Sequence, residues 1–419
     1  MSSPVTPTAA QLPAADAPAA RPAPDPAVPD LHWTEAGTAR SALWRSESGF
    51  PAPARIVVVD DTLTADAAYR LVQKNTALLW RGDYHNARQL LQALGRRLDR
   101  GPRPRDADLT QAFRRHRAEA ERRARLLGLL LVPLDADFGI PLRRAPDIRQ
   151  ACTETWGPAG NPATEPGSVT ALRELIGIVG AHEWRRKGVA VPALGDHDRI
   201  HAHYGVFSPV RGEYLGLVES TPLPTAAPPE PAGLVAFDIG TGTGVIAAIL
   251  ARRGVTRVTG TDQSARALAC AAENVARLGL SDRITVLNAD LFPPARAHLV
   301  VCNPPWIPAS AVTATDHAVY DPDSRMLRGF LGGLAEHLLP GGEGWLIISD
   351  IAERLGLRSR GTLLDLIDDA GLTVVTRHDT RPTHARATDA SDPLHAARAA
   401  EITSLWVLQA AAPRNAAAG

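Results

Sequence analysis

The chain has 419 residues, with 45 basic and 45 acidic side chains and a formal net charge of zero. This length allows two domains, and the balanced charge excludes a global electrostatic attraction to nucleic acid. The 3 cysteines lack paired or metal-binding spacing, which suits a reducing compartment. The longest apolar run, Leu126–Leu134, is too short to span a bilayer. We therefore expect a cytoplasmic protein without membrane contact.

Composition and hydrophobic pattern divide the chain into four parts. An alanine- and proline-rich leader and a short alanine-rich tail contain few large apolar residues, and we expect both to be disordered. Between them lie an accessory domain and an α/β domain. The expected boundaries of leader, accessory domain, α/β domain and tail are 1–33, 34–200, 201–409 and 410–419, respectively.

The accessory domain is predicted to be mainly helical. One strand, Arg55–Asp60, precedes a helix capped by Thr64, and further helices follow. The segment Arg81–Arg125 contains 13 arginines and 6 acids. Two interpretations of this segment remain open. It is either a phosphate-binding surface that supports RNA contacts, or a solvated helix face in a sequence that uses arginine in place of lysine.

A glycine-rich turn opens the α/β domain. The apolar run Leu234–Ile239 predicts a strand, and Thr243–Arg253 has helical character. The three alternating glycines between them tolerate positive φ and permit close approach of a ligand; they are Gly240, Gly242 and Gly244. The first backbone amides of the following helix would face that ligand. A dinucleotide-binding turn would need glycine where Val245 stands, so the spacing favours a different nucleotide ligand.

With Asp238 two residues before the first glycine, this turn resembles the first motif of class I S-adenosylmethionine-dependent methyltransferases. The resemblance implies S-adenosylmethionine as cofactor. Asp262 then ends the second predicted strand, where it can accept both ribose hydroxyls. Asp290 ends the third, where it can accept from the adenine amine, with Leu291 and Phe292 beside the ring. The cofactor-binding residues that we expect are Asp238, Gly240, Thr241, Gly242, Gly244, Asp262, Asp290, Leu291 and Asn303.

The string Asn303-Pro304-Pro305-Trp306 follows the predicted strand His298–Cys302, at the carboxyl end where open parallel sheets bind ligands. The Asn303 side-chain oxygen and the Pro304 carbonyl can both accept from one NH2 group, which favours a nitrogen with an available lone pair. The two prolines fix φ and pre-organise that carbonyl, and Trp306 offers a flat face for stacking. These four residues are the predicted catalytic residues, and no general base is required. The motif is similar to that of methyltransferases acting on adenine-N6, guanine-N2 or the glutamine side-chain amide.

Two further stretches resemble different methyltransferase families. Gly205–Ser208 and Arg211–Val218 resemble the segment before the first strand of the small-subunit rRNA guanine-N2 methyltransferases. Ile307-Pro308 and Val319–Pro322 are similar to the release-factor glutamine methyltransferases, although Asp321 stands where those proteins have glutamate. We expect an N-methyltransferase that acts on a macromolecule, with RNA (ribosomal RNA included) slightly ahead of a protein such as a release factor. A non-catalytic RNA-binding or assembly factor on the same fold is the alternative from another class.

Five metal-capable side chains lie within eight residues near the domain boundary: Asp196, His197, Asp198, His201 and His203. Such a set can hold a divalent cation. Methyl transfer from a sulfonium needs no metal, however. We therefore expect a solvated loop or a lid over the cofactor here, and no metal site.

The remaining pattern completes an α/β fold, a seven-stranded Rossmann-like methyltransferase sheet preceded by the mainly helical accessory domain. Apolar residues at helical or strand spacing define the elements after the third strand. These elements are the helix Asp323–Leu338, the strand Trp345–Ser349, the helix Gly361–Ala370, the strand Leu372–Arg377 and a last, antiparallel strand Glu401–Leu408.

Overall fold

The computed structural model describes residues 29–100, 108–210, 212–225, 233–310, 318–382 and 392–411. Within these ranges the chain forms 15 β-strands and 12 α-helices. The strands are β1 (Asp30–Glu35), β2 (Thr38–Arg45), β3 (Ile56–Val59), β4 (Ala77–Trp80), β5 (Leu130–Leu134), β6 (Ser168–Ala171), β7 (Val189–Ala190), β8 (Arg199–Ile200), β9 (Val235–Ile239), β10 (Arg257–Asp262), β11 (Ile284–Asn288), β12 (Ala297–Cys302), β13 (Leu338–Ser349), β14 (Leu372–Thr380) and β15 (Thr403–Ala410). The helices are α1 (Ala65–Gln73), α2 (Tyr84–Leu98), α3 (Leu109–Leu127), α4 (Arg149–Trp156), α5 (Leu172–Lys187), α6 (Glu213–Ser220), α7 (Val245–Arg252), α8 (Ala265–Arg277), α9 (Arg325–His337), α10 (Ile351–Arg354), α11 (Arg360–Asp369) and α12 (His395–Ala399). None of the helices in the described ranges is both long and apolar enough to cross a membrane.

The C-terminal sheet carries the glycine-rich turn and the NPPW string on neighbouring strands. Its described strands follow the order β11-β10-β9-β12-β13-β15-β14. The first five are parallel, and β15 lies antiparallel between β13 and β14. In the register of β12 with β9, Cys302 is paired with Ile239. Gly240 and Asn303, the next residue on each strand, therefore emerge side by side at one edge of the sheet.

The central strands of this sheet are buried on both faces. Leu299 and Val301 of β12 pack with α6 and α7, whereas Val300 and Cys302 pack with α9 and α11 on the opposite face. Burial on both faces explains why β12 is an uninterrupted apolar run and not an alternating one. The helices on both faces fix the positions of the strands, and the turns that follow β9 and β12 form the candidate site.

The element boundaries agree with the sequence in most places and differ where the backbone is irregular. The strand β10 ends at Asp262 as predicted, and β15 pairs antiparallel with β13 as predicted. Helix α9 begins at Arg325 and not at Asp323, because Asp323 and Ser324 both have φ of 55° within a 3₁₀ turn. Two consecutive residues in the left-handed region cannot belong to a right-handed α-helix.

The prediction of a single strand in the accessory domain is wrong. Within the described residues this domain contains a sheet of 6 strands in the order β1-β2-β6-β5-β4-β3, with the helices α1 to α5 packed around it. Every residue of β4 and β5 is buried, so neither strand shows the alternation that distinguishes a strand from a buried helix segment. The predicted strand Arg55–Asp60 is β3, and Thr64 caps α1 by accepting from the Ala67 amide at 3.3 Å.

The folded region extends beyond its predicted boundary at both ends. The strand β1 begins at Asp30, inside the predicted leader, because it pairs with β2 along its whole length. The strand β15 ends at Ala410, just inside the predicted tail. Residues 1–28 and 412–419, on which the rest of these two predictions falls, lie outside the described residues.

Candidate active site

The glycine-rich turn has the backbone conformation that only glycine adopts readily. The φ angles of Gly240, Gly242 and Gly244 are 72°, 54° and 79°. A Cβ added to Gly242 would have the Gly240 carbonyl oxygen as its nearest neighbour, at 3.9 Å, so open space lies over this residue. The Thr241 amide donates to the Thr261 carbonyl at 2.8 Å and fixes the turn to strand β10. The turn is therefore anchored to β10 and has open space at Gly242.

Asp238 is a buried carboxylate that is only partly satisfied. Its Oδ2 accepts from the Thr241 hydroxyl at 2.7 Å and from the Ala247 amide at 3.1 Å. Its Oδ1 is buried and has no hydrogen-bond partner among the described residues. Burial raises the pKa of Asp238 to about 6, and the nearby Asp262 carboxylate acts in the same direction. A ligand with a positive charge would relieve both effects.

Asp262 stands at the carboxyl end of β10, beside the glycine-rich turn. Its Oδ2 accepts from the Gly242 amide at 3.1 Å, and its Oδ1 accepts from the Ser264 amide at 2.9 Å. These bonds orient the carboxylate and leave further lone pairs, because an ionised carboxylate has about four acceptor positions. The predicted pairing with two ribose hydroxyls is compatible with this geometry.

Asp290 and its neighbours are engaged more than the sequence suggests. The Asp290 carboxylate accepts from Gln263 at 2.5 Å and from Arg325 at 3.0 Å. Leu291 has φ of 74°, and its carbonyl accepts from the Thr261 hydroxyl. Phe292 stacks against His337 and Phe330 on the α9 side, with ring centroids 4.2 and 6.0 Å apart. The ring of Phe292 therefore packs against other rings of the protein. Of the two residues predicted to lie beside the adenine ring, Leu291 has no such ring stacked on it among the described residues.

Asn303 is held by two aromatic side chains. The Trp306 indole Nε1 donates to Asn303 Oδ1 at 2.9 Å, and the side chains of Tyr214 and Asn303 are hydrogen-bonded. Tyr214 lies on α6, is buried, and has its pKa raised by that burial. Asn303 Oδ1 has two lone pairs, one of which accepts from Trp306. Tyr214 was not predicted from the sequence, although it stands in the stretch Arg211–Val218, which resembles the small-subunit rRNA guanine-N2 methyltransferases.

Arg358 is a buried cation in contact with the NPPW string, and it was not predicted from the sequence either. Arg358 is 7% exposed. It donates to the Trp306 carbonyl at 3.5 Å and to the Ser324 hydroxyl at 3.4 Å, while its Nε has no partner among the described residues. Burial lowers the pKa of Arg358. No motif marks this residue, because its position follows from the packing of the segment between α10 and α11.

The histidine and aspartate cluster near the domain boundary is dispersed among structural contacts. His201 Nδ1 contacts the Arg185 carbonyl at 2.6 Å, and His203 Nε2 contacts Glu273 at 2.7 Å. Asp198 pairs with Arg252 at 2.7 Å. A search of the described ranges finds no group of three or more side chains able to hold a metal ion. Three of its five residues thus contact α5, α7 and α8.

The site suits a cationic nucleoside cofactor. The open space over Gly242 admits a ligand to the backbone, and the unpaired Asp238 Oδ1 favours a positive charge nearby. Asp262 presents a half-buried acceptor on the same edge of the sheet. S-adenosylmethionine carries a sulfonium, an ammonium and ribose hydroxyls, which match these groups in charge and donor type. The sheet order and the glycine-rich turn agree with the predicted resemblance to class I S-adenosylmethionine-dependent methyltransferases.

Comparison with known protein families agrees with this assignment. Residues 199–354 match the family model described as methyltransferase small domain. This match confirms the predicted class I methyltransferase resemblance, and with it S-adenosylmethionine as the cofactor of the domain. The matched range includes the glycine-rich turn and the NPPW string, and it begins at β8, after most of the accessory domain.

Several characterised methyltransferases are similar to this chain. The release factor glutamine methyltransferase of Cereibacter sphaeroides is 36% identical over 180 residues, which cover 40% of this chain and 60% of that protein. The ribosomal protein uL3 glutamine methyltransferase of Bordetella pertussis is 34% identical over 117 residues, covering 26% and 39%. The ribosomal RNA small subunit methyltransferase C of Alcanivorax borkumensis is 37% identical over 113 residues, covering 26% and 31%. The chain thus spans less than two thirds of the length of each of these relatives.

Proposed function

We propose that this protein transfers a methyl group from S-adenosylmethionine to a planar nitrogen of a macromolecule. The observation that carries the proposal is the register of β12 with β9, which brings Asn303 directly beside Gly240. We call the string Asn303–Trp306, whose oxygens can accept from an amine, the clamp. The clamp and the open glycine-rich turn are thereby adjacent on one edge of the sheet. Two aromatic side chains orient the Asn303 amide, as catalysis by pre-organised acceptors requires.

Asp262 would hold the ribose, and Asp238 would stabilise the positive charge of the bound cofactor. S-adenosylmethionine supplies an electrophilic methyl group on a sulfonium, so transfer forms an N–C bond, breaks the C–S bond and leaves a neutral thioether. Asn303 Oδ1 and the Pro304 carbonyl would accept both N–H groups of the acceptor, which directs its lone pair toward the methyl carbon. The nitrogen becomes cationic as the bond forms. Its proton then leaves to solvent, and no side chain is needed as a base.

We place the side-chain amide of a protein glutamine ahead of an RNA base as the acceptor. The predicted RNA surface rested on the arginines between residues 81 and 125, and several of these are engaged in ion pairs. Arg81 pairs with Glu35, Arg97 with Asp66 and Arg123 with Asp99, at 2.7 to 2.9 Å. Two of the relatives above are named for glutamine methylation, which supports the same choice.

An RNA base remains the second candidate. The observation that favours it is the similarity to a ribosomal RNA methyltransferase, together with the Gly205–Ser208 stretch. Arg211, in the second part of that resemblance, lies outside the described residues. A base would have to be single-stranded or flipped out to reach Asn303.

The acceptor can be identified from the chemical form of the product. The full chain is incubated with methyl-tritiated S-adenosylmethionine and, separately, with purified release factors, ribosomal proteins and protein-free ribosomal RNA. We expect label in a protein fraction that releases N5-methylglutamine on enzymatic digestion. Label recovered as an N-methylated nucleoside would transfer the assignment to RNA, and absence of label from all three fractions would contradict a macromolecular acceptor.

A further inference from the structure

Helix α3 of the accessory domain lies against the NPPW region of the other domain. The Thr110 hydroxyl donates to the Leu355 carbonyl at 2.8 Å. Phe113 is 5% exposed and is buried in one cluster with Leu355, against which Trp306 and Ile307 also pack. A helix from one domain therefore contributes to the packing around the predicted acceptor clamp of the other.

Arg117, one turn further along α3, contacts the two described ends of the segment that follows the clamp. We call residues 307–310 and 318–321 the acceptor flank. The Arg117 guanidinium carbon lies 3.9 Å from the centroid of the Tyr320 ring, and its Nη2 donates to the Ser310 carbonyl. Cation–π contact and a charge-assisted hydrogen bond thus tie both ends of the flank to α3.

The acceptor flank is connected in turn to the cofactor turn. The Asp321 amide donates to the Ile307 carbonyl at 2.9 Å, which closes the flank on itself. The Asp321 carboxylate accepts from the Met326 amide at 3.0 Å at the start of α9. A Cβ on Gly240 would lie 2.5 Å from the Met326 methyl carbon. A continuous set of contacts therefore runs from α3 to the glycine-rich turn.

We propose that α3 forms one wall of the acceptor site and that Arg117 is a positioning residue, which holds the acceptor flank in place beside Asn303. This inference rests on the proposed N-methyltransferase function. The acceptor would be bound by both domains: its planar nitrogen at Asn303, and the chain around that nitrogen between the flank and α3. The accessory domain thereby acts directly on substrate binding, whereas it reaches the cofactor turn only through the intervening flank and α9.

The first test measures the flank itself, without a substrate. Amide hydrogen exchange is compared at Ile307 and Asp321 in the full-length parent and in Arg117→Met. Loss of the cation and its hydrogen bond should accelerate exchange at both amides by about threefold to tenfold. Arg117→Lys should fall between the two, because it keeps the charge but not the planar guanidinium. Arg122→Met, at an exposed position of the same helix, should exchange at the parental rate.

Two outcomes of this first test oppose the proposal. Parental exchange in Arg117→Met, or equal acceleration in Arg122→Met, would overturn the role of Arg117. If Arg117→Met does not fold, Tyr320→Leu removes the same contact from the other domain and should give the same acceleration. Calorimetric affinity for S-adenosylmethionine should stay within about twofold of the parent in each variant, since no contact to the cofactor turn is removed directly.

The second test uses the acceptor fraction that takes up label. We expect Arg117→Met to raise KM for that acceptor by about fivefold while kcat stays within about twofold, because positioning affects binding before chemistry. A loss of kcat at unchanged KM would overturn the assignment. If no fraction takes up label, the proposed function fails, and the exchange measurement still decides whether Arg117 holds the flank.

Discussion

Both sheets of this molecule place carboxylates at or near the carboxyl ends of neighbouring parallel strands. Among the described residues, however, only Asp238, in the C-terminal sheet, has a buried carboxylate oxygen without a hydrogen-bond partner. In the accessory sheet, Asp61 follows β3 and Asp83 follows β4. Asp83 accepts from the His85 amide at 2.9 Å and from Arg144 at 2.6 Å. The hydrogen bond from Arg144 holds the pKa of Asp83 below its usual value. These carboxylates have the partners that a structural role requires.

In the C-terminal sheet, Asp238 lies one residue before the end of β9, and its pKa is shifted in the opposite direction to that of Asp83. It has no cationic partner, one of its oxygens is unpaired among the described residues, and burial raises its pKa to about 6. A buried polar group without a partner costs free energy in the unliganded protein. The position of an acid at a strand end therefore does not by itself indicate a ligand site. A buried acid that lacks both a cationic partner and a hydrogen bond is a stronger indication of one.

We expect the largest effect on turnover from a substitution in the clamp, compared with one elsewhere on the same edge of the sheet. Asn303→Ala removes the acceptor that orients the nitrogen, and turnover should fall by about 100-fold to 1,000-fold, as for loss of one catalytic hydrogen-bonding group. Cofactor affinity, measured by calorimetry, should remain within about threefold, because the glycine-rich turn and Asp262 are unchanged. Asn288→Ala, at the exposed end of β11, is the matched control and should keep parental turnover. Parental turnover in Asn303→Ala would show that the clamp does not act in catalysis.

The sequence predicts those parts of the fold in which local pattern and topology agree. The glycine spacing before α7 and the strand bounds of β10 follow from residues that are adjacent in the chain. The accessory sheet was not predictable in this way, since β2 pairs with β6, more than 120 residues later. Its fully buried strands β4 and β5 carry no alternating pattern that would reveal them.

The candidate site shows the same division. Asp238, Asp262 and Asn303 are predicted from the sequence, because motifs fix their spacing relative to a strand end. Tyr214 and Arg358 were not found, because each reaches the clamp from an element distant in sequence, and tertiary packing alone brings them there. The raised pKa of Asp238 also depends on burial, which no spacing rule reports.

An intermediate effect is expected from the pKa of Asp238. Below pH about 6 this carboxyl is protonated in the unliganded protein, and a cationic cofactor must displace that proton in order to gain the carboxylate. Affinity for S-adenosylmethionine should therefore fall as the pH decreases through 6, by about tenfold per pH unit at the limit. Calorimetry at pH 5.5 in two buffers of different ionisation enthalpy should detect proton release on binding.

The reference for that measurement is Asp238→Asn, whose amide does not titrate. It should bind more weakly at pH 8 and lose this part of the pH dependence. The same raised pKa makes the unliganded parent less stable as the pH rises from 3.8 through about 6, because the native state binds the proton more tightly than the unfolded state. A pH-independent affinity in the parent between pH 5 and 8 would mean that Asp238 does not sense the cofactor charge.

The smallest effect on cofactor binding, namely none, is expected from Asp83→Asn in the accessory sheet. Asp83 caps α2, and asparagine is an equally good N-cap, so the substitution isolates the charge pairing with Arg144. The lowered pKa of Asp83 means that its contribution to stability is present above the unfolded value of 3.8 and is lost as the pH falls through the lower native pKa. The variant should therefore have a lower Tm than the parent at pH 7, with the difference shrinking toward pH 3, while its affinity for S-adenosylmethionine stays parental. A change in that affinity comparable to the change in Asp238→Asn would contradict the distinction between a satisfied structural carboxylate and an unsatisfied one at the ligand site.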